Sequence, residues 1–160
     1  MNSKFCKYYL NSIRTHRIEY YTSPDELKLM PIKNLTFENQ SIFISLVEEI
    51  MDLNKKLSDE IYSFQKWLKR TFEIKNLSNK LEKYYELDFE EFLKEIKKKK
   101  VDIKQRKTQE LLEEEFLGSL GLIQDLQRAI KETDEKINQL VYELYELTEE
   151  EINIIEESLK

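Results

Sequence analysis

Glycine and proline are nearly missing from this chain, with two of each in 160 residues. So few backbone breakers, among so many Glu, Lys and Leu, argue against a turn-rich β fold and for long helices. Cysteine is scarcer still. The single Cys6 cannot form an internal disulfide or a Cys-based zinc site, and it suits a reducing cytoplasm. His16 is the only histidine, so a metal cluster or triad built on several histidines is excluded, and His16 reads as an exposed residue. No apolar run approaches the roughly 18 residues of a membrane span. The N-terminus has no apolar signal core.

Apolar and charged residues fill the space. Hydrophobic residues are 40% of the chain and charged ones 36%, and the apolar ones recur too regularly for a disordered segment. The length fits one domain, or one domain plus a strip of another. The net charge of −6 conceals an asymmetry. Met1 to Lys107 carries 22 Lys and Arg against 17 Asp and Glu, a net of +5. Thr108 to Lys160 carries 4 against 15, a net of −11. The first two thirds can face nucleic acid. The acidic last third suits protein or solvent.

Residues 1–35 differ from the rest. Arg17 to Thr22 is short, aromatic and β-favouring. Ser23-Pro24-Asp25 is a turn signal. Met30 cannot be helical, because it precedes Pro31. A short extended strip is expected here. From Thr36, a candidate N-cap, the chain reads as helical. Ile42, Ile44, Leu46, Val47, Ile50, Met51, Leu53 and Leu57 form a broad apolar face. Ser58 or Asp59 is expected to restart a second helix, with Ile61, Phe64, Trp67, Leu68 and Phe72. A break follows at Asn76 to Ser78, then a short helix holding Leu81, Tyr84 and Tyr85. Asp88, with Glu91 three positions later, caps a helix that ends in Lys97-Lys98-Lys99-Lys100. Cations there oppose the negative end of the helix dipole. From about Gln105 to Leu144, steps of three and four visit Phe116, Ser119, Ile123, Leu126, Ile130, Thr133, Ile137, Leu140 and Leu144, a coiled-coil-like seam. Gly118 and Gly121 lie inside it and each costs about 1 kcal/mol relative to Ala. A close helix crossing is the expected reason, with a kink as the alternative. Thr148 and Glu151 form a capping box that starts a last helix. The fold class is therefore mainly α: a helical bundle with one long coiled-coil-like segment and a short extended N-terminal strip.

Few residues offer chemistry. Asp25, Glu26 and Lys28 resemble a nuclease set, but neighbours in an extended segment point to opposite faces, so a turn is the better account. Cys6 has no histidine in a helix-like frame near it and is not expected to be a nucleophile. Lys97, Lys98, Lys99, Lys100, Lys104, Arg106 and Lys107 form a basic cluster. It is either a solvated helix end and loop or a contact with DNA phosphates. Arg14 and Arg17, beside His16 and the aromatic Tyr20-Tyr21, are a second such patch. Thr133 and Asp134 lie at and next to the seam, where a half-buried hydrogen bond would set helix register.

One ordered series of motifs resembles a known family. Leu10-Asn11-Ser12 and Pro31-Ile32 come first. Leu46 to Leu57 then has the form LV..I..LNK.L, and Ser63 to Leu68 has the form SF..WL. Phe89 to Leu93 follows. The ending Thr133-Asp134, Ile137 and Leu140 to Glu151 matches TD..I..LVYELYGLTEEE. The series resembles the C-terminal region of type IIG restriction-modification enzymes, which fuse an adenine-specific DNA methyltransferase, a nuclease and a specificity region. Glu146 departs from the family, which has glycine there, a natural helix stop.

That resemblance implies a division into residues 1–35, a remnant or edge of a target-recognition region, and 36–160, a C-terminal helical domain. It implies double-stranded DNA and the methyltransferase and endonuclease portion of the same system as partners, a cytoplasmic location and no membrane. No catalysis is expected of this chain. It has no Pro-Pro-aromatic loop for a flipped adenine and no Gly-rich turn for S-adenosylmethionine, so no cofactor is expected. The alternative is a structural or oligomerising helical module, a homo-oligomer, without direct DNA contact.

Overall fold

The computed structural model describes residues 3–13 and 24–159. These are mainly α-helical, as the patterning predicts, with no strand among them. Helices α1 (Lys4–Ile13), α2 (Pro24–Lys28), α3 (Phe37–Thr71), α4 (Asn79–Glu82), α5 (Phe89–Lys98), α6 (Arg106–Leu144) and α7 (Glu149–Ser158) follow one another, with a 3₁₀ turn over Tyr84–Glu86. Contacts group Met51–Ile130 into one unit, and Met1–Ile50 with Lys131–Lys160 into another.

In the first unit, aromatic residues meet around α5. Phe64, Leu68, Leu81, Tyr84, Phe92, Ile96, Leu112, Phe116 and Ile123 form its buried core. The Phe64 and Tyr84 rings stack at 4.1 Å, and those of Phe92 and Phe116 at 4.6 Å. Each such pair adds about 0.5–1.5 kcal/mol to the area it buries. Asp88 caps α5 as predicted, with both halves of the capping box present.

The expected restart at Ser58 or Asp59 does not occur. Helix α3 runs unbroken for 35 residues. The Ser58 hydroxyl donates to the Asn54 carbonyl one turn back, at 2.9 Å. A serine satisfied within its own helix has no need to cap a new one. Thr36 does cap α3, accepting from the Asn39 N–H at 3.4 Å.

The second unit gathers the two ends of the chain. Residues 4–13 form a helix where an extended strip is expected; Phe5, Tyr9 and Ile13 recur one turn apart along it and Leu10 is buried. Ser3 starts it, accepting from the Cys6 N–H at 3.3 Å. The Ser23-Pro24-Asp25 turn signal resolves differently: Pro24 occupies the first position of α2, where its missing N–H costs nothing. Met30 is non-helical, and residues 31–36 have no regular structure. Arg17 to Thr22 lie outside the described residues.

The long helix α6 has the predicted bounds to within one residue. Its seam residues are all buried or half-buried. Both glycines depart from expectation. A Cβ added at Gly118 or Gly121 would meet nothing within 4 Å, so no described helix crosses close to either.

Helix α6 stops at Leu144, and Glu146 takes the place where the resembling family has glycine. Its φ is 56°. The Leu147 N–H donates to the Tyr142 carbonyl, and the Glu146 N–H to the Glu143 carbonyl, both at 3.0 Å. This is a Schellman stop built without glycine. Glu73 after α3 and Lys100 after α5 are also left-handed. A glycine-poor chain ends three helices on charged residues instead.

Candidate functional site

The basic cluster gathers on one turn. Helix α5 ends at Lys98, Lys100 turns left-handed with φ 63°, and α6 begins at Arg106. Ile103, 6% exposed, pins the turn to the core. The Gln109 side-chain amide donates to the Ile103 carbonyl at 2.7 Å, and the Lys104 N–H to the Asp102 carboxylate at 3.0 Å. A turn held at both ends presents its cations without a large ordering cost.

Lys97, Lys98, Lys100, Lys104, Arg106 and Lys107 are exposed, and Lys99 is half-buried. Two of them are engaged. Arg106 pairs with Glu110 at 2.6 Å. Lys98 pairs at 2.6 Å with the buried Glu95, whose carboxyl also accepts from Ser78 at 3.2 Å. The hydrogen bond from Lys98 holds the Glu95 carboxyl below its ordinary value, against the opposing pull of burial. The first turn of α6 has no acidic residue, unlike those of α5 and α7, so its positive dipole end adds to the field of the turn. Arg14 and Arg17 lie outside the described residues.

The structural candidates lie elsewhere. Thr133 is 2% exposed. Asp134 is half-buried and accepts from the Asn138 amide at 3.2 Å, one turn on in the same helix, a bond within α6 rather than one that sets register between helices. Thr148 and Glu151 make both halves of their capping box. The Thr148 backbone N–H and hydroxyl draw the Glu151 carboxyl below its ordinary value.

Sequence reasoning missed the partners of these residues. Asn138, 3% exposed, accepts the Lys4 N–H at 2.8 Å and so satisfies a free donor at the start of α1. The Lys4 amine reaches Glu156 at 2.6 Å, and the Tyr142 hydroxyl donates to the same carboxylate at 2.9 Å. Burial and that carboxylate push the Tyr142 hydroxyl well above its ordinary range. In the other unit, Tyr84 and Ser119 share a bond of 2.6 Å, and the Ser119 hydroxyl donates to Glu60 at 2.5 Å. Burial pushes the Tyr84 hydroxyl up to about 12. Ser119 was legible as a polar interruption of an apolar seam. Asn138 carries no such signal.

Among the described residues no group of three His, Cys, Asp or Glu is placed to hold a metal ion. No described helix is long and apolar enough to cross a membrane.

The fold and the basic turn describe a mainly helical module with an exposed cationic corner. The family model described as a domain of unknown function (DUF8810) matches residues 36–141, and the chain belongs to that family. The matched span begins at the Thr36 cap and covers nearly all of α6. No curated protein and no solved structure matches the chain.

Proposed function

We propose that this chain is a non-catalytic C-terminal helical module of a type IIG restriction-modification enzyme, supporting DNA binding and target recognition. One observation carries the proposal. The wording of the tail resembles that family at every position but one, and the exception, Glu146, has the left-handed backbone that glycine serves. A helix stop at Glu146 supports the resemblance. The partners would be duplex DNA and the methyltransferase–endonuclease portion of the same system.

The basic turn supports the DNA-facing part. Lysines meet phosphates as point charges, so the contact would position a duplex rather than read its bases. The alternative, a structural or oligomerising module, is favoured by the net charge of −11 beyond Lys107.

Titrating the chain with a labelled duplex over a salt series separates the two. If four lysines of the turn touch phosphate, log K falls against log salt with a slope of about −3.6. Replacing Lys97, Lys99, Lys100 and Lys104 by Ala should remove most of that slope. No binding even at low salt, or a slope indifferent to the replacements, defeats the DNA-facing role.

A further inference from the structure

The face of the Met51–Ile130 unit that holds Gly118 is open, and its charges are sorted. A hollow of about 510 Å³ lies between α3 and α6, floored by Trp67, Gly118 and Leu122. Leu122 is 55% exposed. A second hollow of about 500 Å³ shares Trp67 and continues outward along α3. The α6 wall carries Glu114 and Glu115. The outer α3 wall carries Lys66 and Arg70. Glu60 also lines the floor, where it accepts from Ser119.

We infer that this groove is a self-complementary docking face whose occupant is a second copy of the chain. The charge pattern carries the choice. A two-fold axis along the groove lays the acidic wall of each copy over the basic wall of the other, so one face supplies both halves of the match. The same operation brings the two Trp67–Leu122 floors together, an apolar centre with a charged rim. It also accounts for Gly118. The isolated fold has nothing near its Cβ, whereas a second copy seated in the groove would approach the α6 backbone there. The inference rests on this face alone and does not depend on DNA.

Sedimentation of the full chain over a concentration series, without DNA, tests it. The native chain should dimerise. Lys66→Glu with Arg70→Glu makes both walls acidic, and Glu114→Lys with Glu115→Lys makes both basic. Each double variant should weaken self-association by about tenfold or more, since four exposed pairs turn repulsive. Mixing the two should restore a dimer, as should combining all four changes in one chain. Gly118→Leu should abolish the dimer with helicity kept and the monomer no less stable, because its side chain grows into open groove. A native chain that stays monomeric at high concentration, as it would if the groove takes a different protein, overturns the inference. So does a dimer indifferent to both charge reversals, or a mixture that fails to pair.

Discussion

The two units of this protein are stabilised by different chemistry. The Met51–Ile130 unit buries stacked rings and aliphatic side chains in one cluster. The unit formed by the two ends of the chain buries few apolar side chains, Leu10, Val141, Tyr142 and Ile155 among them. It is joined by Asn138, Glu156, Lys4 and Tyr142 instead. Apolar burial is non-directional and tolerates repacking, whereas a buried polar network stabilises only while every member is paired. The first unit should therefore resist most single changes by degrees, and the second should lose its α1 contact when one polar partner goes.

The sharpest break of that contrast is Phe116→Ala. It removes a ring that packs against Tyr84, Phe89 and Phe92 and should cost about 3–5 kcal/mol in denaturant unfolding. An effect below about 1 kcal/mol would mean that the aromatic cluster is not what holds this unit. Asn138→Ala comes next, at about 1–3 kcal/mol, because it strands the Lys4 N–H. Its signature is local: amide exchange should quicken in α1 while α5 keeps its protection. Equal loss in both places would refute separate stabilisation.

Smaller effects sharpen the picture with opposite sign. Glu146→Gly should raise stability by about 1 kcal/mol, since a non-glycine residue in the left-handed region costs about that much. The exposed Lys33–Glu146 pair at 3.3 Å, lost in the variant, offsets little of it. Gly121→Ala should also stabilise by about 1 kcal/mol, as in any open helix interior. A destabilised Gly121→Ala chain would contradict the open space around it. Finally, Tyr84 has its hydroxyl raised from 10.0 to about 12 in the folded state. Its contribution is present below pH 10 and is lost as pH rises from there towards 12. Stability curves of the native chain and Tyr84→Phe should converge over that window.

Much of the architecture was legible because it is local. Thr36, Asp88 and Thr148 announced three helix starts, since a cap needs only its own side chain and an N–H two or three residues on. The α6 seam was legible from its steps of three and four. The uninterrupted α3 was not, because Ser58 caps or back-bonds with equal chemistry, and only the continued helix decides which. Helix α1 has a local cap in Ser3, but its short length and aromatic content read as extended; its first N–H finds Asn138, 134 positions away. The α3 stripe misled in the other direction. Ile44 and Met51 belong to its apolar pattern, yet they are 52% and 67% exposed. Periodicity shows that a helix has an apolar side, but not that anything covers it. For the candidate site, the lysine run was visible, while the anchoring of its turn was not. That came from Ile103 in the core and the Gln109 side chain.

The sequence by itself determined that this protein is helical, where most of its helices begin, and how its charge divides between the first two thirds and the last. Those properties depend on residues within a turn or two of one another. Only the tertiary structure decided that the helical glycines face open space, that a glutamate ends α6 in a left-handed turn, and which polar side chains join the two ends of the chain. Each of these depends on atoms far apart in sequence, or on a backbone angle that several residue types can adopt. No local pattern encodes that choice.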